Sequence, residues 1–408
     1  MKRIVNLMLI LFPLLGIYKL PIGIDIPVNA AVFMVLFAIT IVKRKGLHFT
    51  FPDGFVLYWV YISVVYILFS PTFNITSFIP GGISFCFWVI ALFVGLVYFD
   101  YGLLKKYYKL VFFVCAFVFY IQEISYYTFG SRPIFLLPFP LTGEATYQEI
   151  LANQIRLDRS SCFFREPAHF AQFVLPLLAM ELIDAPKNGK IITGFSIFII
   201  ATLIMLRSGN GIVGLIVLLA YRIWLYLRYA KWGYKIMTLF VFIPIIILLT
   251  SYYIQTEQGA IIAERAAGLG VEEGSGSFMR TVRGYMLFDA MPTINKIFGL
   301  TIEGVTEFVP HSRVSYLFIS TFTGEYEFYL NGIQTVLVSN GLVGLVLFLL
   351  IYIRLYRNNT ELSKSLILLF LSLLLIGNLY LSQMMLIATI IPHCKKIEQN
   401  RILRSSLQ

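Results

Sequence analysis

Long apolar runs alternate with short polar segments along the whole chain. Runs of roughly 17–25 apolar residues are long enough to cross a bilayer as helices. They fall at 4–18 (short), 26–42, 54–70, 78–98, 110–129, 167–183, 191–206, 211–227, 236–254 and 331–353. The closing stretch, 365–391, reads as two short crossings with a turn near 377–383. Arg354, Arg357 and Lys364 precede it, and Lys395, Lys396, Arg401 and Arg404 follow it, so a single crossing would leave one basic flank outside. Twelve crossings follow, with both termini and every short basic loop on the cytoplasmic side. The fold class predicted is therefore all-α: one polytopic integral membrane domain over residues 1–408.

Two longer polar segments, 130–166 and 255–330, fall on the outer side in this reading. The first balances four basic against four acidic residues, and the second has five basic against nine acidic. Neither is a generic basic coat, so arginines within them need another reason. Structureless loops longer than about 12–15 residues are uncommon in ordered proteins. The pattern predicts a helix over 278–289, stopped near Pro292, and hence a structured outer lobe. Arg280 and Arg283, three residues apart, would share a face of that helix.

Composition agrees with this picture. The 408 residues are 59% hydrophobic and 13% charged, with mean hydropathy +0.82. A soluble domain is nearer about half apolar and about a quarter charged. The net charge of +11 would fit nucleic acid, but the lysines and arginines sit in short loops between apolar runs, which excludes that reading. Four scattered cysteines (Cys86, Cys115, Cys162, Cys394) show no metal spacing and no disulfide framework. Met1-Lys2-Arg3 leads into an apolar run without a small-residue cleavage site, so that run is expected to stay as the first span.

The densest chemistry lies between residues 156 and 173. Arg156, Arg159, Arg165, Glu166 and His169 fall together beside an apolar run, where charge is costly and marks a functional candidate. Pro167 suits the first turn of a helix, because its missing N–H goes unused there. A helix N-terminus attracts anions through its free N–H groups and dipole, and arginine grips phosphate with two parallel hydrogen bonds. The pattern points to a lipid-linked phosphate or diphosphate. Glu166, His169 and His311 are the candidates for a base. Glu166 ranks first as base or acceptor-orienting group, His169 supports it on the same face, and His311 is the outer-lobe alternative. Arg207, in the tight turn 207–210, and Arg313, beside His311, are further candidate contacts. Glu123, in the outer half of a span, reads equally as a site carboxylate or as the buried partner of an arginine.

The order of several motifs resembles the Wzy-type O-antigen and capsular polysaccharide polymerases, relatives of the O-antigen ligases. The residues that carry it are 156–173, the turn Arg207-Ser-Gly-Asn-Gly-Ile-Val-Gly214, the stretch 276–299, the segment 331–344 and Ile376-Gly-Asn-Leu379. The ligases carry His-Asn, nine residues, then Gly-x-x-Gly. Here Asn331 has the spacing to Gly341-Leu-Val-Gly344, but Leu330 stands where the ligases have His, which favours polymerase over ligase. The resemblance implies a membrane glycosyltransferase similar to the GT-C class. It would sit in the bacterial cytoplasmic membrane and act at its outer face on undecaprenyl-diphosphate-linked repeat units. Arg156, Arg159, Arg165, Arg207, Arg280, Arg283, Arg313 and Asn331 would then hold substrate or diphosphate. With no Asp-x-Asp pair in an outer loop and no metal-spaced His/Cys group, neither metal nor other cofactor is expected, and arginines would neutralise the leaving group. A chain-length regulator and a flippase are the protein partners the resemblance implies. The rival readings are an O-antigen ligase and, from a different class, a polysaccharide or glycolipid transporter; no internal repeat of the transporter kind is visible.

Overall fold

A computed structural model describes residues 1–20, 26–43, 51–69, 75–137, 159–184, 193–229, 251, 282–319 and 324–405. Among these residues there is no named strand, only two isolated bridges, Lys19 with Pro27 and Ile319 with Tyr326. The first helices are α1 (Lys2–Leu15), α2 (Val28–Lys43), α3 (Phe55–Phe69), α4 (Ile75–Tyr98) and α5 (Tyr101–Phe129). After a non-helical return come α6 (Pro167–Ile183), α7 (Gly194–Met205) and α8 (Gly209–Tyr229). Three short helices, α9 (Arg283–Ala290), α10 (Thr293–Phe298) and α11 (Ile302–Phe308), precede α12 (Gly332–Tyr356). The chain closes with α13 (Glu361–Leu374) and α14 (Gln383–Ser405).

Three of these helices, α5, α8 and α12, are long and apolar enough to cross a membrane, and several shorter apolar helices pack among them. Their outer faces carry large bare side chains: Phe117 is 68% exposed, and Ile124, Ile216 and Leu68 are comparably open. Water would penalise such surfaces, whereas lipid accepts them, so this is a helical membrane protein. The end of the chain forms two packed helices, α13 and α14, joined by residues 375–382.

The charged residues sort the helix ends. Asn6 near the start of α1 donates to Tyr98 O (3.0 Å) and accepts from Asp100 N (3.2 Å), joining α1 to the α4–α5 corner. Lys105 and Lys109 of α5 pair with Glu181 at the end of α6, at 3.2 and 3.0 Å. Tyr221, late in α8, donates to Glu361 at the start of α13 (2.6 Å). Lys395 of α14 lies over the Tyr101 ring, 4.6 Å from its centroid. These residues form a lysine-rich end of the bundle. The opposite end gathers the finish of α1, the starts of α6, α12 and α14, and residues 375–382.

Small residues set the packing there. A Cβ at Gly211 would stand 3.2 Å from Ala171 Cβ, and one at Gly214 would stand 2.7 Å from Leu175 Cδ2. Helix α8 thus lies close against α6 because its glycines leave no side chain in the way. Leu175 is enclosed, so nothing larger fits at Gly214 without a shift.

Residues 282–319 and 324–330 form a small lobe with its own core of Leu287, Met291, Leu300, Val309, Leu317 and Phe318. The helix predicted over 278–289 is present over Arg283–Ala290, and Pro292 separates it from α10. Residues 278–281 lie outside the described set. The lobe docks on a break in α12 at Gly341 (φ 69°, ψ −175°). A broken helix inside a membrane strands backbone carbonyls that need partners. The lobe supplies them: Leu300 N donates to Val338 O (3.0 Å) and Thr301 N to Ser339 O (2.9 Å). Tyr61 Oη of α3 donates to Asn340 O (2.7 Å).

Candidate functional site

A cavity of about 300 Å³ opens where α1, α6 and the 375–382 link meet. Its position follows from local sequence. Pro13 in α1 has no N–H for the carbonyl of Leu9, and Gln383 at the start of α14 donates its amide there instead (3.0 Å), and to Ile10 O (3.1 Å). Asn29 donates to Phe12 O (3.1 Å), close against Gly16, where a Cβ would stand 2.9 Å from its amide nitrogen. One wall is therefore a proline-interrupted helix patched by side-chain amides.

The opposite wall is the start of α6. Phe164 is buried, stacks on Phe170 and packs at a tilt against Phe173, with both centroid distances 5.2 Å. That anchor fixes the neighbouring Arg165. His169, Gln172 and Phe173 follow at helical spacing and present one face. Arg165, His169 and Gln172 line the cavity, and Asn378 and Ser382 close it from the link. Among the described residues no carboxylate lines it. Arg165 gives this space a positive charge, and the amides add neutral donors and acceptors. The volume is at the lower end for a small-molecule site, roughly 300–1,000 Å³. It suits an anionic group with part of its attachment, not a whole oligosaccharide.

Glu166 is the N-cap residue of α6; it is half-buried, makes no side-chain capping bond and does not line the cavity. Arg159 and Arg207 form a neighbouring pair: Arg159 Nη1 donates to Arg207 O (3.2 Å), and Arg207 Nη2 to Tyr127 Oη (2.5 Å). Arg207 takes the left-handed conformation in the α7–α8 turn (φ 50°), as do Cys162 (φ 56°) and Leu381 (φ 59°). Such strained positions persist only where surrounding structure over-determines them, and they collect at functional sites. All three lie on the segments that meet at this end of the bundle.

Behind the 159–166 loop lies a buried ionic network. Arg132 Nε is 3.6 Å from Glu123 Oε1 and donates to Ser160 Oγ (3.0 Å), while Ser160 also donates to Glu123. Gln122 Oε1 accepts from Cys162 N (2.9 Å). Glu123 is therefore the partner of an arginine, and the pair holds the loop that carries Arg159 and Arg165. Burial in the same loop pushes the Cys162 thiol well up from its ordinary pKa.

Four of the five stretches that carry the resemblance meet at Gly377. Asn331 caps α12 with a reciprocal Gln334 bond and donates to Leu375 O (2.9 Å); Gly332 N donates to Gly377 O (2.9 Å). A Cβ on Gly377 would meet Asn210 Nδ2 at 3.1 Å and Gln172 Nε2 at 3.2 Å. Residues 165–173, 207–214, 331–344 and 376–379 thus share one junction beside the cavity. Asn331 is a buried structural bracket there rather than part of the cavity lining.

The lobe residues lie apart from this cavity. Arg283 is only 1% exposed; its guanidinium donates to Leu317 O (3.3 Å) and Tyr329 O and lies over the Phe318 ring. Burial lowers its pKa to about 10. Ligand contact by Arg283 would require those loop segments to open. Arg313 is exposed and pairs with Asp289 at 2.5 Å, and His311 is exposed beside it. Arg156 and Arg280 lie outside the described residues. Among the described residues no three His, Cys, Asp or Glu side chains are grouped to hold a metal ion. Sequence reasoning missed Gln172, Asn378, Gln383 and Asn29; the signal available was an amide inside an apolar run. No protein-family model matches the chain, and no curated protein matches it.

Proposed function

We propose that the protein is a membrane glycosyltransferase that lengthens a lipid-linked polysaccharide. In this reading it crosses the bacterial cytoplasmic membrane twelve times, with the lysine-rich end inside and the Arg165 cavity at the outer face. Arg165 holds the diphosphate of the donor glycan, and Arg159 and Arg207 add positive charge alongside. The acceptor sugar's hydroxyl oxygen attacks the donor's anomeric carbon. The new carbon–oxygen bond forms as the bond to the diphosphate breaks, and undecaprenyl diphosphate leaves. The acceptor proton passes to a base on the same side. Geometry decides first between bases: His169 lines the cavity with Arg165, so it takes that role ahead of Glu166, which lies outside the lining. His311 stays in reserve on the lobe.

The observation that carries this reading is the junction at Gly377, where four separated motif segments meet beside a cationic cavity. The test is polymer length. Membranes carrying Arg165→Ala should make no long-chain glycan while retaining the protein. Arg165→Lys should recover only part, because an ammonium cannot reproduce the planar fork. Normal polymer from Arg165→Ala would overturn the proposal. Purified protein that lengthens lipid-linked repeats without an ion gradient would separate it from a transporter.

A further inference from the structure

At the lysine-rich end, a second cavity of about 560 Å³ is lined by Asp53, Gly54, Arg354, Arg357, Asn358 and Lys396. Helices α12 and α14 both run between the two cavities, so this one lies far from Arg165. Gln383 to Lys396 alone is 13 residues of helix, or ~20 Å at 1.5 Å per residue. Three cations face one carboxylate. Lys396 Nζ is 3.8 Å from Asp53 Oδ2 and donates to Arg354 O (3.2 Å), which leaves the two guanidinium groups as the main charge of the wall. Both arginines are exposed at the end of α12, where the helix dipole favours cations.

Basic residues beside a membrane commonly just set topology. Two observations say more here. The cations come from two helices, Arg354 and Arg357 from the end of α12 and Lys396 from α14, yet line one space. That space also depends on backbone conformations that side chains rarely adopt. Gly54 has φ +87°, and a Cβ there would stand 3.2 Å from Arg354 Nη1, so a glycine makes room for the guanidinium. Asn358, on the opposite rim, is left-handed as well (φ 53°).

We propose that this cavity binds a phosphate group, with Arg354 and Arg357 gripping its oxygens and Lys396 closing the third side. Arginine forks match phosphate geometry, and basic pockets between membrane helices are suited to anionic headgroups. A membrane phospholipid and a soluble phosphate compound would present the same chemistry, and the experiment separates them. The inference stands independently of the reading of the Arg165 cavity.

The test uses purified full-length protein, first in nanodiscs of phosphatidylcholine with increasing phosphatidylglycerol, then in detergent with pyrophosphate. Native mass spectrometry counts retained phosphatidylglycerol, and calorimetry reads pyrophosphate binding. Wild type should retain the anionic lipid against salt washing. R354Q/R357Q should bind it roughly tenfold more weakly, since two charge-assisted contacts are lost at partly exposed positions. G54L, which leaves every charge in place but fills the guanidinium's space, should weaken binding too. Pyrophosphate binding that the same variants abolish, with no lipid preference, would support the phosphate site and assign it to a soluble ligand. If both variants hold lipid and pyrophosphate as wild type does, or wild type holds neither, the proposal fails.

Discussion

Gly341→Ala puts the docking of the lobe to a direct test. At φ 69° and ψ −175°, Gly341 occupies a region open almost only to glycine. Forcing alanine into such a conformation costs ~1–3 kcal/mol. The new methyl would also stand 2.5 Å from Ile297 C and 2.6 Å from Gly299 N, both backbone atoms that cannot rotate aside. The lobe must therefore retreat. Its bonds to the broken helix, Leu300 N to Val338 O and Thr301 N to Ser339 O, lengthen or break. Each is worth about 1 kcal/mol net, and together with the strain the loss is roughly 3–5 kcal/mol. Gly130→Ala is the matched control. Gly130 has the same φ of 69° but nothing within 4 Å of its Cβ position, so it carries only the left-handed penalty of about 1 kcal/mol. Melting in detergent, followed by tryptophan fluorescence, should show a much larger drop for Gly341→Ala. Trypsin should also cut its lobe faster. Equal drops in the two variants, with the lobe equally protected, would refute the reasoning.

Glu123→Gln removes the counter-charge of Arg132 while both positions are 4% exposed. Breaking a buried pair from one side costs ~3–5 kcal/mol, so protein recovered from membranes should fall sharply, and Glu123→Gln/Arg132→Gln should recover part of it. Gln383→Leu strands the Leu9 carbonyl beside Pro13; a buried acceptor without its donor costs about 1–3 kcal/mol, seen as a lower melting temperature that Gln383→Asn does not restore, its amide being one methylene short. Reporter fusions after Lys109, Lys190, Lys235 and Arg357 and at Gln408 should read cytoplasm, whereas fusions within 143–154 and 268–276 should read outside; an external C-terminus would sink the α13–α14 hairpin as a double crossing.

The described helices were legible because apolar runs of the right length are a local signal; the span expected over 236–254 lies, but for residue 251, outside the described residues. The division of the last run at 375–382 was legible too, since it followed from basic residues on both flanks. Part of the lobe was legible as a helix ended near Pro292. What escaped was long-range. Nothing in the neighbourhood of Gly341 says that residues 299–301 would repair a break there, 40 residues away in the chain. Arg283 sits in a polar segment, yet it folds under the Phe318 ring and serves loop carbonyls, because the lobe needed donors for them. Glu123 could be read either way until its arginine was found 9 residues on. Helical spacing put Glu166 and His169 on one face, but it could not say that His169 would line the cavity with Arg165 while Glu166 would not.

Inside a membrane, a polar side chain is a functional candidate by default, and in this protein backbone accounting narrows the candidates. Every interrupted helix here releases carbonyls that lipid cannot satisfy. Gln383 and Asn29 serve the proline-broken α1, and Tyr61 serves the break in α12. Asn331 serves the end of α13. These residues have a structural reason to be polar, whether or not they also border the cavity. In α6 the missing N–H of Pro176 leaves the carbonyl of Gln172 without its helical donor, and Tyr108 Oη reaches the next carbonyl, that of Phe173. The residues that serve broken backbone are neutral amides and phenols, whereas Arg165 brings a full positive charge to the cavity, and that charge is what singles out the start of α6 as the place where an anionic substrate would be held.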